Sequence, residues 1–224
     1  MKIKIIILLT SLVCLNFGTP TQGIVRSQQQ VIFDGNSLTQ KDGTNADLKY
    51  YLPLKLYGTL RSNSKLFAGQ HYGVTGKNTV QLINDFPTKI APYLKKGDIV
   101  VFWEITNDLH TNSATAQQAY DNLVTYAGLV HAKGAKIVVL GFIARDVAGQ
   151  AADINTRGFA CNALIEANHS WCDGWVNLGT NVSFDSAADC ANTTYYLTDK
   201  IHLTNSGYDL VSSLIESTVR GLIK

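Results

Sequence analysis

The sequence predicts an α/β fold, a parallel sheet with helices on both faces, and two observations predict it. Apolar, β-branched runs of strand length recur at 31–33, 65–68, 98–103, 136–140 and 175–178, each bounded by Gly, Asp or Asn. Segments of helical periodicity alternate with them, and the runs repeat at intervals of about 30 to 40 residues, the span of one βα unit. Such alternation favours parallel strands joined by crossover helices over an antiparallel arrangement.

In order, Val31, Ile32 and Phe33 form a short buried strand, and Asp34-Gly35-Asn36 turns the backbone sharply, placing Ser37 where strand gives way to helix. Helical periodicity follows over 47–60, interrupted by Pro53. The second strand, 65–68, leads into the glycine-bounded segment Gly73-Val-Thr-Gly76 and then a helix over 79–94, interrupted by Pro87. The third run, 98–103, ends at Trp103-Glu104 ahead of Asn107 and Asp108. Helix 114–132, strand 136–140, helix 154–169 and strand 175–178 complete the alternation. The stretch 179–197 lacks periodicity and reads as an ordered surface excursion near the rim of a site. A last helix spans 205–223, with Thr204 or Asn205 as its cap.

A chain of 224 residues, 46% hydrophobic and 16% charged, is long enough for one sizeable core and too sparsely charged for a disordered protein, so one domain is expected. Lys2 and Lys4 precede an apolar stretch from Ile5 to Leu15, and Thr21 and Gly23 supply small residues before a cleavage point. A membrane-spanning helix needs about 20 apolar residues, more than this stretch offers. Residues 1–23 therefore read as a signal peptide and 24–224 as the domain, placed outside the cytoplasm as a secreted or periplasmic protein with no stable membrane insertion. Val13 before Cys14 is bulkier than a lipid-attachment signal usually allows. The formal charge of +2 falls to near neutral without Lys2 and Lys4, which implies neither nucleic acid nor an acidic surface as partner.

Removal of the leader leaves Cys161, Cys172 and Cys190, an odd number that allows one disulfide and one remaining thiol. Cys172 with Cys190 is the expected pair, since a bridge there would pin the excursion. No Cys-x-x-Cys pair occurs, and adding His169 reproduces no common zinc spacing, so no metal is expected. Asn-x-Ser/Thr sequons begin at Asn168, Asn181 and Asn192 and matter only in a host that glycosylates.

In an open parallel sheet, ligands bind beyond the carboxyl ends of the strands. The chemically able residues of this chain follow strands: Ser37 the first, Gly76 the second, Asn107 the third, and Asp199 and His202 the fifth. A serine attacks at neutral pH only with a base, an orienting acid and oxyanion donors. Asp199-Lys-Ile-His202 supplies the first two, because a spacing of three lets the carboxylate hold Nδ1–H of the imidazole while Nε2 faces Ser37. The backbone N–H groups of Ser37 and Gly76 and the side-chain amide of Asn107 would form the oxyanion hole.

Gly35-Asn-Ser-Leu38, the Gly76 segment, Thr106-Asn-Asp108 and Asp199-Lys-Ile-His-Leu-Thr204 with Gly207-Tyr208 resemble the four ordered blocks of the SGNH, or GDSL-type, hydrolase family, over residues 31 to 210. The resemblance implies a three-layer α/β/α sandwich around a five-stranded parallel sheet, flavodoxin-like in type. It also implies ester hydrolysis by a Ser-His-Asp triad with no cofactor or metal. Ser37, Gly76, Asn107 and His202 would be the signature residues, with Asp199 completing the triad.

Two positions depart from the family pattern. Asn36 stands where the family usually has Asp, a nearly isosteric exchange. Ile105 stands where it usually has Gly, and a positive φ there would be closed to a β-branched residue and would misdirect Asn107.

Each block also has a bland reading. Ser after Gly-Asn is by itself most often a turn residue or cap, Asp-x-x-His a solvated turn, and Tyr195-Tyr196 packing rather than a sugar platform. The conjunction of four blocks in order is what favours chemistry. The expected activity is that of a secreted serine esterase on a small-molecule or carbohydrate ester, with short acyl groups on carbohydrate first. Long-acyl substrates such as lysophospholipids or thioesters, or an inactive glycan-binding or structural member, remain the alternatives.

Overall fold

The structure is a computed structural model that describes residues 29–40, 66–67, 72–111 and 113–224. The expected leader, 1–23, and the helix expected over 47–60 lie outside the described residues. Strands β1 (Gln29–Gly35), β2 (Leu66–Phe67), β3 (Ile99–Trp103), β4 (Lys136–Leu140) and β5 (Gly174–Val176) form one five-stranded sheet in the order β2-β1-β3-β4-β5, every pairing parallel. This is the parallel, doubly wound sheet the sequence pattern predicts, in the flavodoxin-like arrangement that the family resemblance implies. Strand order reverses between β1 and β3, and a crevice opens at such a switch point.

β1 starts earlier than its apolar run because its first two residues find polar partners. Gln29 Nε2 donates to the Gly97 carbonyl at 2.5 Å, and the Gln30 N–H donates to Asp98 Oδ1 at 3.0 Å. β5 is shorter than expected: Leu178 leaves the strand line and opens a 3-10 turn, Leu178–Thr180. The excursion that follows is ordered, with a second such turn at Ala187–Ala191.

Five α-helices are formed by the described residues: α1 (Thr79–Lys89), α2 (Thr106–His110), α3 (Ala116–Ala132), α4 (Ile154–Ala167) and α5 (Asn205–Leu222). Reciprocal side-chain and backbone bonds between Asn78 and Gln81 start α1, and those between Thr115 and Gln118 start α3. Thr204 caps α5 by accepting from the Gly207 N–H at 3.2 Å. α1 stops short of residue 94, with Pro87 in its final turn unable to donate a backbone bond.

Alternation along the strands divides the core in two. Val31, Phe33, Ile99, Val101, Trp103, Val138 and Leu140 face α5, meeting Tyr208, Val211, Ile215 and Val219. Ile32, Val100, Phe102, Ile137 and Val139 face α1, α3 and α4, meeting Leu82, Phe86, Leu123, Tyr126, Val130, Cys161 and Ile165. The result is a three-layer α/β/α sandwich. Among the described residues, no helix is long and apolar enough to cross a membrane.

The Cys172–Cys190 bridge is not formed, and the layering explains why. Cys190 is buried on the α5 face, whereas Cys172 packs with the opposite core, so the sheet lies between them. The three cysteines among the described residues, Cys161, Cys172 and Cys190, are free thiols. Burial pushes Cys161 up to about 12 and Cys172 and Cys190 up to about 11, leaving little thiolate at neutral pH. His131 pairs with Asp173 at 2.8 Å and ties the end of α3 to the start of β5.

Asp34 is fully buried at the end of β1, where its carboxyl accepts from the Tyr126 hydroxyl and from the Gly35 N–H. Burial outweighs these bonds and the charges of Lys77 and Lys89, raising the group to about 7. Below pH 4 both folded and unfolded chains carry the proton; between about 4 and 7 only the folded chain keeps it, so stability falls as pH rises through that window. Urea unfolding should show this decline, worth at most about 4 kcal/mol at 1.36 kcal/mol per unit. Asp34→Asn should flatten the decline; an unchanged slope would assign it to other groups.

Candidate active site

Gly35 ends β1 with φ +148°, and a Cβ there would lie 2.3 Å from the Trp103 carbonyl oxygen. Only glycine permits this close descent against β3. The turn that follows is held by Asn36, whose carbonyl accepts from the N–H groups of Thr39 and Gln40 and whose Oδ1 accepts from the Leu38 N–H at 2.8 Å. Ser37 is half-buried at the centre of this turn. Its own N–H has no partner among the described residues.

His202 and Asp199 arrive from the far edge of the sheet. Ser37 Oγ lies 2.8 Å from His202 Nε2, and His202 Nδ1 lies 2.7 Å from Asp199 Oδ2. A carboxylate only accepts, so Nδ1 carries the donated hydrogen and Nε2 is left to accept from the serine hydroxyl. Asp199 Oδ1 also accepts from the backbone N–H groups of His202 at 3.0 Å and Ile201 at 3.1 Å. Partial burial pushes the Asp199 carboxyl up, but the bonds from the His202 ring and from these N–H groups, with the His202 charge, outweigh it and hold the group at about 2. Asp199 is therefore ionised throughout the neutral range.

The remaining sequence-predicted residues come to the same edge. Gly76 sits at φ +77° in an exposed turn, and its N–H has no partner among the described residues. The next residue, Lys77, accepts from Asn107 Nδ2 at 2.9 Å. One amide hydrogen of Asn107 is thereby fixed and the other is left to donate. Ile105 does not disturb this arrangement. Its φ is −145°, which any residue adopts, and its side chain is buried in the core with Leu82, Phe86 and Leu109. The positive φ that would have excluded a β-branched residue is not used here.

Two groups at the site were not foreseen. Glu104 is fully buried, accepting at Oε1 from the N–H groups of Asn107 at 2.7 Å and Asp108 at 2.9 Å, and at Oε2 from Asn36 Nδ2. It caps α2, a helix too short to read from periodicity. Burial, then the charge of Asp108, push Glu104 well above the usual carboxyl range despite these donors. Its one sequence signal is a charge directly following a continuous apolar strand.

Asp146 is the second. Its backbone N–H donates to the Lys200 carbonyl at 3.1 Å, and its carboxylate accepts from Lys200 Nζ at 2.5 Å. No local sequence pattern marks it. Tyr196, expected to pack rather than to form a sugar platform, is buried, donating its hydroxyl to the Ala144 carbonyl at 2.9 Å and packing edge-on against Phe184.

No family model and no curated relative matches the sequence. Solved structures do match over most of the chain. A GDSL-like lipase from Bacteroides thetaiotaomicron is 18% identical with a TM-score of 0.64, the match covering 87% of this chain and 89% of that one. The chain has the SGNH-hydrolase fold. A lipase/acylhydrolase from Enterococcus faecalis shares this fold at 16% identity and TM-score 0.64, covering 88% of this chain and 98% of that one. An acetyl xylan esterase is similar at 19% identity and TM-score 0.61, covering 85% and 99%.

Within this SGNH fold, Lys200 holds the turn between Asp199 and His202 at φ +58°. Such a conformation costs an L-residue roughly 1–2 kcal/mol, and a β-branched side chain tolerates it least. Lys200→Gly should therefore leave stability within about 0.5 kcal/mol, relief of strain offsetting the lost surface ion pair. Lys200→Val should destabilise by roughly 1–2 kcal/mol in thermal unfolding. Equal stability of the two variants would show that the turn is not under this constraint.

Proposed function

We propose that the chain is a serine esterase. The observation that carries this reading is the unbroken line of hydrogen bonds from Asp199 through His202 to Ser37, with the backbone N–H groups of Ser37 and Gly76, which have no partner among the described residues, at the same edge. Ser37 Oγ attacks the acyl carbonyl carbon as its proton passes to His202 Nε2, and ionised Asp199 stabilises the imidazolium. The tetrahedral oxyanion is received by the N–H groups of Ser37 and Gly76 and the second amide hydrogen of Asn107. Collapse breaks the ester C–O bond, and the departing alcohol takes the proton from His202. Water then attacks the acyl-enzyme and gives its proton to His202; collapse releases the carboxylic acid and returns the proton to Ser37.

The proposed substrates are short acyl esters, acetyl first, on carbohydrate, acted on outside the cytoplasm. Three considerations favour them. Ser37 and His202 are each only half-buried, consistent with a shallow site open to a bulky alcohol. Among the described residues, the exposed large hydrophobics are Val80, Tyr93 and Val182, three positions separated along the chain rather than one continuous apolar run. A similar fold serves an acetyl xylan esterase. The near-neutral charge gives no electrostatic reason for nucleic acid as a partner.

Nitrophenyl esters from acetyl to long acyl test both halves of the proposal. Turnover should fall as the chain lengthens, and Ser37→Ala should lower it at least about a thousandfold with the circular dichroism spectrum unchanged. Equal or better turnover of long chains would overturn the substrate assignment. Unchanged turnover in Ser37→Ala would remove this serine from the reaction.

A further inference from the structure

We infer that Glu104 is a positioning residue that locks the nucleophile turn to the oxyanion residue, and that Asn36 is present because Glu104 requires an amide donor there. The inference rests on Ser37 as nucleophile and Asn107 as oxyanion donor.

Capping α2 requires only one Glu104 oxygen, and Oε1 alone accepts from the N–H groups of Asn107 and Asp108. The other oxygen does something a cap does not: it accepts from Asn36 Nδ2, 68 positions earlier, in the turn that carries Ser37. One carboxyl group thus touches the residue immediately before the nucleophile and the backbone of the oxyanion donor. Both partners are buried, Asn36 completely, so neither bond has water as a substitute.

The orientation of Asn36 is fixed at both ends. Its oxygen is taken by the Leu38 N–H, so its nitrogen must face Glu104. An aspartate at this position, the usual residue of the resembled family, would keep the bond to Leu38 and turn a second acceptor towards Glu104. Two buried carboxyl groups would then face each other, and with Glu104 already pushed well above the usual carboxyl range by burial and Asp108, the contact would hold only through a retained proton that the amide of Asn36 makes unnecessary. The departure at Asn36 and the carboxyl group of Glu104 are therefore one complementary pair. Through that pair the end of β1 is registered against the start of α2, which sets the distance between Ser37 and Asn107.

A reciprocal exchange tests the pairing. Glu104→Gln sets two amide nitrogens face to face, and Asn36→Asp sets two carboxyl oxygens face to face. Each single variant should lower kcat on a short nitrophenyl ester at least about tenfold while KM changes less than about threefold, because geometry in the transition state is lost rather than binding. In the double variant the new amide donates to the new carboxylate, and kcat should return to within about threefold of wild type.

A single variant with wild-type kcat, or a double variant no better than the worse single, would overturn the inference. So would a double variant that recovers its melting temperature but not its kcat, since the pair would then serve folding alone. Normal wild-type turnover without coupling refutes this inference and leaves the esterase reading standing. A folded wild type that turns over no ester refutes both.

Discussion

The pairing of β1 with β3 is the constraint on which the rest depends. Gly35 lies opposite Trp103 in this register, so the two strands leave the sheet at the same height on either side of its switch point. The glycine lets the backbone descend against the Trp103 carbonyl, and the serine turn and α2 emerge side by side. A shift of one residue would reverse every side chain of β1 between the two cores, placing Val31 and Phe33 where Ile32 now packs. Burial on both faces of the sheet thus fixes a geometry that loops alone could not hold.

The second half of the site is brought across the sheet by a different kind of contact. The segment carrying Asp199 and His202 follows β5, two strands away from β3, and is held over the end of β4 by a series of bonds to main-chain groups. The Ala144 N–H donates to the Phe184 carbonyl, the Tyr196 hydroxyl donates to the Ala144 carbonyl, and Asp146 bonds to Lys200. Phe184 and Tyr196 are buried beneath this segment, so the excursion that lacks periodicity still contributes a satellite of the α5-facing core. Its order comes from burial rather than from regular structure.

The layers, the parallel sheet and the edge that gathers polar residues were legible in the sequence because they rest on apolar periodicity and on strand-to-helix order. Ser37, Gly76, Asn107, Asp199 and His202 could be read as candidates for the same reason: each follows a strand, on the edge where such a sheet binds ligands. Hidden were the relations that need three dimensions. Cys172 and Cys190 look suited to a bridge along the chain but lie on opposite faces of the sheet. Ile105 looked like an obstacle because the backbone angle at that point cannot be read from residue type, and the observed φ accommodates it. Glu104 gave only the sign of a charge after an apolar strand; its partners, one of them 68 positions away, could not be read from local sequence. Asp146 gave none, since its role depends on a loop that returns from beyond β5.

The central claim is that Ser37 is an activated nucleophile made so by His202. Covalent labelling of the folded protein with a fluorophosphonate, followed by mass spectrometry of its peptides, tests it most directly. The account predicts a single adduct on Ser37 that His202→Ala largely prevents. A folded protein that takes no label, or one labelled at a different serine, would contradict it.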